Sequence, residues 1–262
     1  MPNKPSVMIT GASTGIGAIY ADRFAKRGHD LVLVARDRVR MEALADGLSR
    51  QTGVAIDILR ADLTVPGDLK QVEEGLRSDH RIGVLVNNAG TVLAGGFVDQ
   101  SPDEVARIVD LNAMAPLRLA SAVAPRFARA VEGAIVNIGS VIGLSPEYGS
   151  TVYGATKAFI LFLSQSLHAE LGPKGVYVQA VLPAATRTEI WGHAGKDVNK
   201  LPAVMEVSEL VDAALAGFDR REPVTIPPLP QADQWTNFEA ARKAMVPNFN
   251  QAHAAERYRK AA

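Results

Sequence analysis

Short apolar runs rich in β-branched residues recur along this chain, and they set the tightest limit on what it can fold into. They are Ser6–Thr10 (SVMIT), Leu31–Val34 (LVLV), Ala55–Leu59 (AIDIL), Val84–Val86 (VLV), Ala134–Ile138 (AIVNI) and Val176–Leu182 (VYVQAVL). Between most of them lie roughly 10–20 residues with helical periodicity. Met41, Leu44, Ala45 and Leu48 mark one side of such a segment, with arginines and aspartates on the other. Gly28 and Gly53 stand where helix C-caps are expected, just before the next strand. Strands that are apolar throughout need cover on both faces, and strands separated by helices run parallel. Right-handed crossovers then give a doubly wound α/β sheet of about seven strands, with helices on both faces. A run at Pro223–Ile226 would supply the last strand. Beyond it, a proline-broken stretch leads to a helix in WTNFEAARKAM. Residues 1–226 are expected to form the sheet domain, and 227–262 a C-terminal helical appendage of that same domain.

Composition removes several function classes. Lys+Arg and Asp+Glu are both 28, so no bulk charge draws the chain to nucleic acid or an anionic membrane. With no cysteine there is no disulfide, cysteine metal site or cysteine nucleophile, and no metal site is expected. The start, MPNKPSVMIT, does not read as a signal peptide. No uncharged apolar run approaches the ~18 residues of a membrane span. A soluble cytoplasmic protein is the expectation.

The turn after the first strand reads TGASTGIG, Thr10–Gly17. Gly11, Gly15 and Gly17 sit between a strand and a helix, where a nucleotide pyrophosphate would meet backbone N–H groups and a helix N-terminus. Three glycines also make an ordinary turn, but their place in the first βα unit favours a nucleotide. At the end of the second strand, an NAD-selective site offers a carboxylate about 20 residues beyond the glycines. Here the chain reads VARDRVR, with Ala35 and Arg36 at the strand end and Asp37 later. Arg36 can pair with a 2′-phosphate through its planar fork of donors, with Arg40 one helical turn on. NADP(H) is therefore favoured over NAD(H), the alternative being a solvated surface arginine. Asp62 can accept from an adenine amino group or act as an N-cap-like acid. Asn87–Gly90 (NNAG) follows the fourth strand at the ligand-binding edge, or forms a simple turn. Tyr153 and Lys157 in YGATK are one helical turn apart, and can be a solvated pair or an acid with its tuning cation.

Taken together, TGASTGIG, NNAG, the IGS ending at Ser140 and YGATK resemble the short-chain dehydrogenase/reductase family, from about Pro5 to Ile190. The local details are most similar to its NADP-linked bacterial members. That resemblance implies a Rossmann-like sheet and an oxidoreductase interconverting a carbonyl and a secondary alcohol. It makes Tyr153 the general acid/base, with its phenol pulled down by the Lys157 ammonium. Ser140 would hold the substrate oxygen, and Asn112, in LNAMAP, a relay water. Asn112 could instead be a helix-bending core residue. Cofactor contacts are implied for Gly11, Ser13, Thr14, Gly15, Ile16, Gly17, Arg36, Asp62, Leu63, Asn88, Ala89, Gly90, Tyr153, Lys157, Pro183 and Thr188. In PAATRTE, Ala184 replaces the family's glycine. Since alanine resists positive φ, the loop path over the nicotinamide is expected to shift.

Substrate choice falls to Leu93–Phe97, Val141–Tyr148 and the stretch from Ile190 to about Met205. Leu93, Val141, Ile142, Leu144, Tyr148, Ile190 and Trp191 suit a small, mostly apolar ketone, aldehyde or alcohol. WGHAGKDVNKLP lacks periodicity and reads as a mobile lid, with His193 a surface residue. The resemblance also implies a homodimer or homotetramer. Ala113, Ala115, Ala120 and Ala122 on one helix, and Phe159, Phe162 and Leu163 on another, are the residues offered to a partner, while Trp235 and Phe238 would pack on a partner or over the pocket. Two other readings compete. One is a reductase of 3-oxoacyl chains on an acidic carrier protein, using Arg187, Lys196 and Lys200. The other is a non-catalytic NADP(H)-sensing module, which the presence of both Tyr153 and Lys157 disfavours.

Overall fold

The computed structural model describes residues 4–259. Residues 1–3 of the opening stretch and 260–262 of the expected appendage lie outside the described residues. Seven parallel strands form one sheet, ordered β3-β2-β1-β4-β5-β6-β7. They are β1 (Ser6–Thr10), β2 (Leu31–Ala35), β3 (Ile56–Arg60), β4 (Ile82–Asn87), β5 (Ala134–Ile138), β6 (Tyr177–Val181) and β7 (Val224–Thr225). The helices are α1 (Gly15–Lys26), α2 (Arg38–Thr52), α3 (Pro66–Ser78), α4 (Pro102–Val109), α5 (Ala115–Ala130), α6 (Thr151–Leu171), α7 (Ile190–His193), α8 (Val207–Asp219) and α9 (Ala232–Met245).

Alternation along each strand builds two cores. Val7, Ile9, Leu31, Leu33, Val84 and Val86 face Tyr20 and Phe24 of α1, Met41 of α2 and Val211 of α8. Their intervening neighbours Met8, Val32, Val34 and Leu85 face Leu69, Val72 and Leu76 of α3 and Leu119, Val123 and Phe127 of α5. Each such side chain, fully buried, contributes about 1.5–3 kcal/mol. The sheet edges break the pattern: β3 exposes Asp57 and Arg60, charges that discourage further strand pairing. At the other edge β7 is two residues rather than the four expected. Pro223 accepts from the Ala180 N–H at 2.9 Å but has no N–H to return.

Asp110–Met114 forms a π-helical turn joining α4 to α5, and Asn112 lies buried within it, as the helix-bending core alternative has it. One feature differs from the sequence expectation. The alanines offered to a partner are turned inward: Ala113, Ala115, Ala120 and Ala122 are between 0% and 8% exposed. Ala115, Ala120 and Ala122 belong to the same helical stripe as Leu119, Val123 and Phe127, which the chain's own core already covers. The exposed apolar residues nearby are Met114, Phe159 and Phe162.

The described residues divide at Pro227/Pro228 into two compact units. In the second unit α9 has no buried residue, and its Trp235 and Phe238 rings stack on each other with centroids 5.4 Å apart.

Candidate active site

The chain leaves β1 towards β2 on one side and returns to β4 on the other, which opens a crevice at the carboxyl ends of β1 and β4. Thr10 and Asn88 close its floor. The Thr10 hydroxyl accepts the N–H groups of Asn88 (3.0 Å) and Ala89 (3.1 Å), and the Asn88 side chain donates to the carbonyls of Thr10 (2.9 Å) and Gly11 (3.1 Å). Three glycines are dictated here. Gly11 and Gly15 have φ +64° and +55°, and a Cβ on Gly17 would lie 2.3 Å from the Gly11 carbonyl oxygen. Gly17 therefore works by letting α1 approach β1, and it does not border the cavity as the other loop residues do. The first turn of α1 carries no acidic residue, and its N-cap Thr14 makes no side-chain capping bond. Its N–H donors remain directed at the crevice, the environment an anionic pyrophosphate suits.

At one end of the crevice stands Arg36, just past β2, its side chain exposed and 3.9 Å from the Asp62 carboxylate. Asp62 does not cap α3, which begins at Pro66. It accepts from the Thr64 N–H (3.0 Å) and hydroxyl (2.7 Å). Burial raises its pKa, but the Thr64 bonds and Arg36 outweigh that and hold the carboxyl below its ordinary range. Asp37 caps α2 by accepting from the Arg40 N–H at 3.0 Å. The Arg40 guanidinium donates to Glu189 across the mouth, at 2.8 and 3.1 Å.

At the other end β5 delivers Ser140, and the first turns of α6 deliver Tyr153 and Lys157. The Ser140 hydroxyl accepts from the Ile142 N–H (3.2 Å), donates to the Pro183 carbonyl (3.3 Å) and hydrogen-bonds the Tyr153 phenol. Lys157 is 5% exposed; its ammonium donates to the Ile138 carbonyl at 2.9 Å and lies 5.5 Å from the Tyr153 ring centroid. Burial pushes the Lys157 pKa down to about 8. Burial also pushes the Tyr153 phenol up, with the Ser140 bond opposing. The direction is opposite to the one expected from the Lys157 ammonium, because partial burial of the phenol, which penalises the phenolate, is the larger influence.

Asn112 lies behind this wall, 2% exposed and outside the cavity lining. Its amide donates to the Thr91 carbonyl (2.8 Å) and the Thr156 hydroxyl (3.2 Å) and accepts from the Thr91 N–H (2.9 Å). Gly90 separates it from the cleft: a Cβ there would meet Asn112 Oδ1 at 3.2 Å and Lys157 Nζ at 3.6 Å. A second buried chain runs from Asn87 to Asn137 (2.9 Å), Ser164 (2.9 Å) and the Ile160 carbonyl (2.7 Å), fixing α6 against β4 and β5.

One cavity of about 970 Å³ joins the two ends. Gly11, Ser13, Thr14, Gly15, Ile16, Arg36, Asp62, Leu63, Asn88, Ala89, Gly90, Ser140, Tyr153, Lys157, Pro183 and Thr188 all border it. So do Leu93, Phe97, Val141, Ile142, Tyr148, Ile190 and Trp191, whereas Leu144 does not. Ala184 is not among the positive-φ residues, so the loop after β6 has no need of glycine there. The expected lid is partly ordered as α7 and a turn at Val198–Lys200. The Trp191 indole N–H donates to the Thr186 carbonyl at 2.7 Å, and exposed His193 meets the Thr91 hydroxyl at 3.2 Å.

The sequence profile described as short chain dehydrogenase matches residues 5–199. The chain belongs to the short chain dehydrogenase family. It is 64% identical to a short-chain dehydrogenase from Sphingobium yanoikuyae solved in complex with NADPH, covering 97% of this chain and 100% of that one, with a TM-score of 0.96. A bulky-bulky ketone specific alcohol dehydrogenase from Comamonas testosteroni is 59% identical, covering 98% and 99%, with a TM-score of 0.92. The very-long-chain 3-oxoacyl-CoA reductase of Rattus norvegicus is 33% identical over 187 residues, 70% of this chain. The chain spans about 60% of the length of that curated relative.

Within this dehydrogenase-family site, sequence reasoning missed Thr91, Glu189 and the ties of His193. Thr91 follows NNAG directly, and a hydroxyl beside an asparagine-rich turn was the available signal. The Arg40–Glu189 pair is 149 residues apart, and no local pattern announces it.

Proposed function

We propose that this chain is an NADP(H)-dependent oxidoreductase that interconverts a ketone and a secondary alcohol. The observation that carries the reading is the single cavity with Arg36 at one end and Ser140, Tyr153 and Lys157 at the other. The uncapped N-terminus of α1 fits a pyrophosphate, and Arg36 fits a 2′-phosphate. The crevice would hold a nicotinamide cofactor, which when bound would supply hydride to the carbonyl carbon. Ser140 donates to the carbonyl oxygen, and Tyr153 gives that oxygen its proton. Lys157 holds the ribose hydroxyls and offsets charge on the phenolate that remains. Asn112, its amide engaged by Thr91 and Thr156, belongs to the same reading as the residue beside which a relay water behind Lys157 would be held. Pro183 and Thr188 line the nicotinamide end.

The apolar wall from Leu93, Val141, Ile142, Ile190 and Trp191 supports an uncharged ketone. The bulky-bulky ketone specificity of the Comamonas testosteroni enzyme supports widening the substrate class to ketones bulky on both sides of the carbonyl. A 3-oxoacyl chain on an acidic carrier is less well supported, because Arg187 is already bonded to Glu206 (2.7 Å) and Asn199 (2.8 Å). A homodimer or homotetramer in the cytoplasm belongs to the same reading. Its support is exposed Met114, Phe159 and Phe162 and a cysteine-free sequence. No helix among the described residues is long and apolar enough to cross a membrane.

The test is a titration with NADPH and NADH, followed by a ketone panel. Wild type should prefer NADPH, Arg36→Ala should lose roughly tenfold or more of that affinity, and NADH binding should not change. Turnover of two-sided bulky ketones above 3-oxoacyl thioesters supports the substrate class. Turnover of the thioesters alone favours the carrier reading, and cofactor binding with no turnover of either favours the sensing module.

A further inference from the structure

The stretch 186–193 crosses the mouth of the cleft and is tied down on both sides. Thr188 stands against the glycine loop, where a Cβ on Gly15 would come within 3.3 Å of its Cγ2. One residue on, Glu189 receives both bonds from Arg40, on the opposite wall at the start of α2. The root of Arg40 is itself fixed, since its N–H is held by Asp37 and its Nε lies 3.4 Å from the same carboxylate. Arg40, Glu189, Gly15 and Thr188 all border the one cavity. Glu189 and Arg40 therefore bridge the mouth of a crevice floored by Thr10 and Asn88, with Thr188 packed on the glycine loop beside that bridge.

A dinucleotide bound from Arg36 to Tyr153 along the glycine loop would have to pass this bridge at the mouth. With a base at one end and a nicotinamide at the other, it would not slide past lengthwise while the bridge is closed. The bridge would then open each time the cofactor enters or leaves. A carboxylate at the mouth of a phosphate-binding cleft otherwise repels its ligand, and the bond to Arg40 accounts for its place there.

We propose that Arg40 and Glu189 form a clasp over the cofactor, and that Glu189 is a positioning residue that sets the rate of cofactor exchange. The inference rests on the NADP(H) reading above. Stopped-flow fluorescence on the full chain tests it, with NADPH and with NADH. NADH lacks the 2′-phosphate and so separates the clasp from any phosphate contact of Arg40. In Glu189→Gln, association and release should both quicken, by about two- to five-fold, as loss of an exposed ion pair allows, while affinity stays nearly constant. With NADH, Arg40→Gln should give the same rise and the double variant no more, because each removes the same bond. With NADH, added salt should speed release from wild type more than from the variants, which keep only the pyrophosphate contribution.

Unchanged release in Glu189→Gln overturns the clasp, as do additive effects in the double variant. Faster association with slower release also overturns it, and would make Glu189 a repulsive charge only. Wild type that binds neither nucleotide would strike the cofactor reading itself. Normal binding with unaltered rates strikes the clasp alone.

Discussion

Lys157 and Arg40 are both cations on the wall of one cleft, and they are held in opposite ways. Lys157 is 5% exposed where it borders the cavity, bonded to the Ile138 carbonyl and backed by the buried Asn112–Thr156 pair. The Arg40 side chain is 50% exposed and that of its partner Glu189 66%. Buried contacts are strong, and costly to break, because little water competes. Exposed ones are screened and open readily. The difference teaches where each task can sit. On the function proposed here, chemistry that needs fixed distances would sit at the Ser140–Tyr153 end, and cofactor exchange, which needs a bond that yields, at the mouth.

Tyr153→Phe should give the largest effect: a fall in turnover of about 10²–10⁴-fold, the usual contribution of a positioned acid. NADPH affinity should hold, since only a hydroxyl is removed. Loss of cofactor binding to the same degree would mean that Tyr153 is structural, and the contrast between the two ends would lose its chemical basis.

Lys157 sharpens the comparison through stability. Its pKa falls from 10.5 to about 8 on folding because burial disfavours the charged form. Below pH 8 the amine is charged in both states, and the folded state carries the penalty. Between pH 8 and 10.5 the unfolded chain binds more protons than the folded one, so stability rises with pH across that window. Lys157→Met removes the titration. At pH 7 without cofactor the variant should be more stable, by up to about 3 kcal/mol, less about 1 kcal/mol for the lost bond to Ile138. Its margin over wild type should shrink from pH 8 to 10 in paired thermal melts, and its turnover should be lost. A margin that does not change with pH would show that the burial of Lys157 carries no such penalty.

How much of this was legible follows the same division. The strands could be read because period-2 alternation and apolar runs are local, and TGASTGIG and YGATK because their spacing is local too. The orientation of the α5 alanines was also in the sequence: Ala115, Leu119, Ala120, Ala122, Val123 and Phe127 trace one helical stripe, which periodicity assigns to the chain's own core. The π turn at Asn112 was not, since nothing in DLNAM distinguishes a five-residue bond from a four-residue one. The upward shift at Tyr153 was illegible because burial is a property of the assembled fold, and the sequence displayed only the neighbouring cation. The ties at the mouth join Arg40 to Glu189 and Thr91 to His193 across separations of 149 and 102 residues, between surface side chains with many possible partners.

His193 should give the smallest effect and is the sharpest way to break the contrast. Its ring nitrogen lies 3.2 Å from the Thr91 hydroxyl at an exposed position. Thr91 is in turn held through its backbone by Asn112, so the bond attaches the end of α7 to the buried network. An exposed hydrogen bond contributes at most about 1 kcal/mol, or roughly five-fold. His193→Ala should therefore raise KM for the ketone by a few-fold, leave kcat unchanged, and match Thr91→Val, with no further change in the double variant. A hundredfold fall in kcat in His193→Ala alone would mean that the mouth takes part in proton transfer. The division between a rigid chemical end and a yielding exchange end would then have to be redrawn around His193.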